Sequence, residues 1–273
     1  MQVLVIGGSG FLGSEVVRQA LAARHAVAAT YLRRPADVAG PTWHALDVRD
    51  RHRVADLVTA VRPDLVVNTV SRGADWVSTA DGAAHVAGAT ASVVGRLVHI
   101  SSDAVFSGRA VHYDETATPD PTTPYGAAKA AAETAVRAVS PAAMIARTSL
   151  ILGAGDSSHE RHVHALATGR QEGVLFTDDV RCPVDVRDLA AALLELASSE
   201  LGGICHLAGA DPVSRYELGV LIARRDGLDV AAIPSGRRAD LGLHGPVDIR
   251  LDCTVTRRRL RTRLRGVRTF LGP

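Results

Sequence analysis

The feature that most limits what this chain can fold into stands in its first thirteen residues, where MQVLVI runs directly into GGSGFLG. The opening residues are apolar with little alternation, the pattern of a parallel strand buried on both faces. Glycines at 7, 10 and 13 follow at once, and from Phe11 to Ala23 apolar residues recur at helical spacing. Glycine permits the tight turn between such a strand and helix, and lets backbone approach a pyrophosphate lying on the helix N-terminus. G-x-x-G-x-x-G alone is weak, but its place between a buried strand and a helix makes it a strong signal. Gly7, Ser9, Gly10, Phe11, Leu12 and Gly13 are therefore candidate cofactor-binding residues.

The alternation continues. His25 to Tyr31 reads as a second strand, Asp50 to Val61 as a second helix, and LVVNTV, after Pro63 and Asp64, as a third buried strand. A helix is predicted from Ala80 to Val94 and a strand over RLVHISS at 96–102. A loop rich in proline, threonine and aspartate covers 107–124. The alanine-rich YGAAKAAAETAVRAV then reads as a helix ending at Pro141, and AMIARTSLILG as the next strand. Strands alternating with helices imply an α/β fold, a Rossmann doubly wound parallel sheet with right-handed crossovers. After Gly153 the pattern loosens, although VDVRDLAAALLELAS is a clear amphipathic helix and GICHLAG a short strand. The arrangement predicts a NADP-binding Rossmann domain over 1–152, to which 174–200 return, and a small C-terminal substrate-binding lobe over 153–173 and 201–273.

Composition excludes several classes. With 47% hydrophobic and 22% charged residues and a net charge of +2, the chain reads as ordinary globular protein, and its bulk charge gives no reason to expect nucleic acid. The N-terminus lacks a basic region and cleavage site, and no apolar run reaches the roughly 18 residues a membrane span needs. A cytoplasmic location, away from membranes, is expected. Cys182, Cys205 and Cys253 have neither zinc nor redox spacing, and His159, His162 and His164 lack a completing ligand set, so no metal is expected. The arginines between 257 and 268 read as a solvated helix face.

A dinucleotide fold places an acidic residue about 20 positions beyond the glycines to bind the ribose of NAD, or an arginine to accommodate the 2′-phosphate of NADP. Here the second strand ends in Tyr31, Leu32, Arg33 and Arg34, which favours NADPH, while the nearby Asp37 leaves NAD open. Asp47 and Val48 are candidates for the adenine edge.

Tyr125 and Lys129 stand four apart at the start of a predicted helix and so share one face. An ammonium beside a phenol favours the tyrosinate and is expected to lower the tyrosine pKa, suiting it to exchange a proton with a hydroxyl while hydride moves. Of 31 basic residues Lys129 is the only lysine. Arginine cannot offer its compact, tunable ammonium. Ser101 and Ser102 end the preceding strand at the carboxyl edge of the sheet, where ligands bind; Ser102 is placed to hydrogen-bond a carbonyl oxygen.

The segments VLVIGGSGFLG, RPDLVVN, HISSDAVFSG, YDETATPDPTTPYGAAKAAAE and ARTSLILG, in this order, resemble the extended short-chain dehydrogenases/reductases. The resemblance is greatest to the dTDP-4-dehydrorhamnose reductase and sugar-nucleotide-binding family, over roughly residues 1 to 200. It implies an NADPH-dependent reductase of a keto group on a nucleotide-linked sugar or related metabolite. Ser102, Tyr125 and Lys129 match the family's catalytic set. Asn68, Thr69, Val70, Ser101 and Thr148 fall at cofactor-lining positions. Ser71, Asp103, Ala104, Val105, Leu150 and Arg181 fall on the substrate side, Arg181 toward an anionic group. The family has an aromatic residue soon after its Ser/Thr and a tryptophan where this chain has Ala104 and Leu150. Alternatives are an NAD(P)-dependent epimerase or dehydratase, and a non-catalytic dinucleotide-binding subunit; a homodimer is the expected assembly.

Overall fold

The computed structural model describes residues 1–93, 95–199, 201–243 and 245–272. Its centre is a seven-stranded sheet, with β1 Gln2–Ile6, β2 Ala26–Tyr31, β3 Thr42–Ala45, β4 Leu65–Asn68, β5 Arg96–Ser102, β6 Met144–Thr148 and β7 Gly203–Leu207. The strands lie in the order β7-β6-β5-β4-β1-β2-β3 and every pairing is parallel. The helices are α1 Phe11–Ala22, α2 Arg51–Val61, α3 Gly82–Ser92, α4 Pro124–Val139, α5 Ser158–Ala167, α6 Val186–Ala197 and α7 Arg215–Asp226.

Two apolar layers explain why the strands lack alternation. Val3, Val5 and Val67 face a core that α1 and α6 close with Val17, Leu189 and Leu193. Leu4, Ile6 and Val66 face the opposite core, closed by Val54, Val86 and Val136 of α2, α3 and α4. Each such buried Val or Leu contributes about 1.5–3 kcal/mol, which holds both layers to the sheet. Two caps fix where helices begin. Asp50 accepts from the backbone N–H of His52 and Arg53, and Thr123 accepts from that of Gly126, with Pro124 at the first helical position.

Three local expectations change. The predicted 80–94 helix begins with a π-helical turn over Val77–Asp81 before α3, and its expected end, Val94, lies outside the described residues. AMIARTSLILG divides into β6 and a separate pair in which Ile151–Leu152 lies parallel to Val184–Asp185. Gly203–Leu207, assigned from sequence to the small lobe, is instead the edge strand of the central sheet, in register from Gly203 opposite Met144 to Leu207 opposite Thr148. The α6 crossover returns the chain to β6, where Cys205 and Leu207 enter the sheet core.

A smaller core of Leu152, Leu166, Leu175, Leu218 and Ile222 joins α5 to α7. The arginine-rich tail is no continuous helix. It is laid along α6, where Glu195 accepts from the backbone N–H of Arg261 and Thr262, and Asp188 pairs with Arg265 at 2.8 Å. Among the described residues no helix is long and apolar enough to cross a membrane.

Candidate active site

Where the strand order reverses between β1 and β4, the glycine loop opens a cleft of about 260 Å³. Gly7 has φ +83°, and a Cβ there would lie 2.8 Å from Thr69 Oγ1; a Cβ at Gly13 would lie 2.2 Å from the Gly7 carbonyl oxygen. Only glycine lets the turn close and α1 start against it. The loop is fixed by Gly7 N–H donating to Thr30 Oγ1 at 2.9 Å and Ser9 N–H donating to the Thr30 carbonyl at 3.2 Å. No side chain caps the N-terminus of α1. Its backbone N–H groups and the bare glycine surface make a cradle that fits a pyrophosphate.

Of the residues expected at the cofactor, Gly7, Ser9, Gly10, Tyr31, Asp47, Val48, Thr69 and Val70 line this cleft, as do Ser71 and Leu32. Arg33 and Arg34 do not; both are exposed beyond the end of β2. Arg72, which sequence reading did not single out, lines the opposite lip. Its signal was a basic residue just past the carboxyl end of a central strand. Asp47 is held by Arg49, with Nε–Oδ1 3.0 Å and Nη2–Oδ2 2.5 Å, and that hydrogen-bonded guanidinium draws its carboxyl below the usual range. Leu12 lies in the sheet core, and the Phe11 ring covers Gly153. Asn68 is buried, its Nδ2 3.3 Å from His99 Nδ1 and its Oδ1 accepting from Val70 N–H.

The catalytic candidates converge at the end of β5. The Tyr125 phenol lies near the hydroxyls of Ser102 and Ser71, which favour its ionised form. Ser102 Oγ also accepts from Ala104 N–H at 3.2 Å and lies 3.2 Å from Asp103 Oδ1. Lys129, 1% exposed, donates from Nζ to the Ile100 carbonyl at 2.9 Å. Burial lowers its ammonium to about 8, while the carboxylate of Glu133 acts in the opposite direction. The expected lowering of Tyr125 does not occur: burial pushes the phenol up, and the nearby hydroxyls of Ser71 and Ser102 offset only part of that. Close packing sets the approach of the helix, since a Cβ on Gly126 would lie 2.0 Å from the Ala104 carbonyl oxygen.

One turn beyond Lys129, Glu133 forms a buried pair with Arg147 of β6, with Nη2–Oε2 2.8 Å and Nε–Oε1 3.0 Å. Ser101 Oγ donates to the same carboxylate at 2.5 Å. Thr148 bonds the Leu207 carbonyl from Oγ1 at 2.8 Å, tying β6 to β7.

On the substrate side, Asp103 Oδ2 accepts from Ser149 Oγ at 2.6 Å, and Val105 and Leu150 are buried. Arg181 is buried too: it pairs with Asp179 at 2.8 Å and donates to the carbonyls of Val180 and Pro246, so its guanidinium is engaged by the protein itself. The three histidines diverge. His164 pairs with Asp226 at 2.6 Å, His162 faces Gln171 at 3.2 Å, and His159 is pushed by burial to about 4.

The family model of the RmlD substrate binding domain matches residues 1–271. The chain belongs to this family. Its members of this kind are NAD(P)-dependent oxidoreductases of the extended short-chain dehydrogenase/reductase type. Within the family, the chain is 32% identical over 257 residues to a protein of Haloferax volcanii named probable low-salt glycan biosynthesis reductase Agl14, covering 88% of this chain and 85% of that one. It is 30% identical over 230 residues to a dTDP-4-dehydrorhamnose reductase of Mycobacterium tuberculosis, covering 79% and 72%. The fold matches that of a dTDP-4-dehydrorhamnose reductase from Bacillus anthracis, solved in complex with NADP, with a TM-score of 0.84, 24% identity, and coverage of 99% and 96%.

Proposed function

We propose that this member of the RmlD family is an NADPH-dependent reductase of a keto group on a nucleotide-linked sugar. The observation that carries the reading is the Tyr125 phenol placed near Ser102, one helical turn from the buried Lys129, beside the glycine cradle. The named relatives support it, since both are reductases and one acts on a dTDP-linked keto sugar by its name.

In this reading Gly7, Ser9 and Gly10 hold the pyrophosphate, Gly13 lets α1 pack against their turn, and Asp47 and Val48 border the adenine. Arg33, Arg34 and Arg72 are the cations available to a 2′-phosphate. Bound NADPH supplies the hydride. Tyr125 gives its phenolic proton to the ketone oxygen as negative charge develops there. Its raised pKa keeps that proton in place at neutral pH until the charge appears. Ser102 donates to the same oxygen and fixes its position. Lys129, one turn away, favours the phenolate left behind.

The test is NADPH consumption against a panel of nucleoside-diphosphate 4-keto sugars, with Tyr125→Phe beside the wild type. Loss of about 10²–10⁴-fold in kcat for the variant is expected. Absence of turnover on every member of the panel contradicts the reading.

A further inference from the structure

Tyr125, Lys129 and Glu133 form one stripe along α4 at intervals of four residues, and β5 engages the last two with consecutive residues. The Ile100 carbonyl takes Lys129 Nζ at 2.9 Å, Ser101 Oγ donates to Glu133 at 2.5 Å, and Ser102 meets Tyr125. Ile100 and Ser101 thus each hold one turn of the helix. Glu133 is 2% exposed and Arg147 1% exposed, and β6 thereby grips the same turn. Arg147 in turn donates to the Ala117 carbonyl at 3.2 Å and lies 4.9 Å from the Phe106 ring centre.

We propose that Glu133 is a positioning residue for Lys129: held by Ser101 and Arg147, it presents the carboxylate that keeps the buried ammonium charged and fixes the rotation of α4. The site of Lys129 contains few competing charges. On β5, His99 is completely buried, and burial together with the ammonium of Lys129 holds its imidazole neutral. Asp103, in the turn after β5, is engaged with Ser149 and Ser102. On β6, Arg147 is locked onto Glu133. On α3, His85 is turned to the Val48 carbonyl at 2.9 Å, and Asp81 in the preceding turn is exposed. On α4 itself Tyr125 is neutral at physiological pH. Glu133 is left as the carboxylate on the ammonium's own helix face.

The proposal concerns how the Tyr-Lys helix works within the reductase reading, yet it can be tested without turnover because Lys129 is the chain's only lysine. Carbon-13-labelled lysine gives one side-chain resonance, whose shift with pH reports the Lys129 pKa directly. Glu133→Gln keeps the shape and removes the charge, and the Lys129 pKa is expected to fall by about one unit. Because that single change leaves Arg147 buried without a counter-charge, the Glu133→Gln/Arg147→Met double variant is measured beside it, with both charges gone. A fall in the double variant that is smaller than in the single one, because loss of the Arg147 cation offsets part of the loss of the carboxylate, supports the proposal. A Lys129 pKa equal to wild type in folded Glu133→Gln, or above wild type in the double variant, overturns it and leaves Glu133 as a structural partner of Arg147. If the NADPH reaction also exists, its alkaline limb moves down by the same amount; failure of the reaction alone, with the resonance shifted, refutes the reductase reading and not this one.

Discussion

Lys129 Nζ donates to the Ile100 carbonyl at 2.9 Å from a site almost closed to solvent. Burial brings the ammonium from 10.5 down to about 8, so folding releases a proton between those values. The folded protein therefore gains stability as pH rises from about 8 to 10.5, and below pH 8 the charged amine costs about 3 kcal/mol. Lys129→Met fills similar volume without the charge. Denaturant unfolding at pH 7 is expected to show the variant about 2 kcal/mol more stable, after roughly 1 kcal/mol of imperfect packing, with the gain vanishing at about pH 9.5 and the variant about 1 kcal/mol less stable above about pH 10.5. Its reductase activity is expected to fall at least about 10²-fold. A variant less stable at pH 7 would show that the amine is not the burden described.

Gly126→Ala tests how closely α4 must approach the turn after β5. The added carbon would sit 2.0 Å from the Ala104 carbonyl oxygen, backbone that cannot rotate away. The helix must shift and carry Tyr125 off Ser102, costing about 1–3 kcal/mol. Thermal unfolding together with kcat should show both losses. An active variant of wild-type stability would mean that the contact is slack.

Cofactor preference separates the two lips of the cleft. All three arginines are exposed, but Arg72 lines the cleft whereas Arg33 and Arg34 lie outside the lining. Calorimetry with NADPH and NADH is expected to show Arg72→Ala weakening NADPH about tenfold, the loss of one charge-assisted contact. Arg33→Ala/Arg34→Ala removes any preference for NADPH only if that loop folds inward on binding. An unchanged NADPH affinity in Arg72→Ala would return the 2′-phosphate to Arg33 and Arg34.

Much of the fold was legible because a strand buried on both faces advertises itself as an unbroken apolar run, as VLVI and LVVN do. The glycine loop and the Tyr125–Lys129 spacing were equally local signals. What sequence spacing could not give was the balance of forces at the end of the helix. That Tyr125 is governed by burial, with Ser71 and Ser102 only partly opposing it, depends on how segments distant in sequence pack around the start of α4. Arg181 read as a free cation because its partners, Asp179 and the carbonyls of Val180 and Pro246, come from local and distant segments that fold together. The return of Gly203–Leu207 to the sheet was hidden for the same reason, since a short edge strand carries no mark of its partner.

The C-terminal tail is expected to loosen in acid. Although burial raises its pKa, hydrogen bonds from Thr262 and Arg261 hold Glu195 down to about 2, against a usual 4.5. Its depressed value contributes stability above pH 4.5 that is lost as pH falls toward 2. Glu195→Gln should remove that dependence and, the pair being near the surface, cost only about 1 kcal/mol at pH 7. Hydrogen exchange of residues 258–272 reads it directly. Equal protection at pH 7 and pH 3 in the wild type would place the tail's anchor elsewhere.

The central claim is net hydride transfer with Tyr125 as the proton donor. It is tested most directly by supplying NADPH deuterated at the transferred position with a nucleoside-diphosphate 4-keto sugar and weighing the products. The account predicts an alcohol product carrying one deuterium, formed with oxidation of the cofactor, and almost none with Tyr125→Phe. Product of unchanged mass, or conversion of the sugar without net oxidation of NADPH, would contradict it and favour an epimerase.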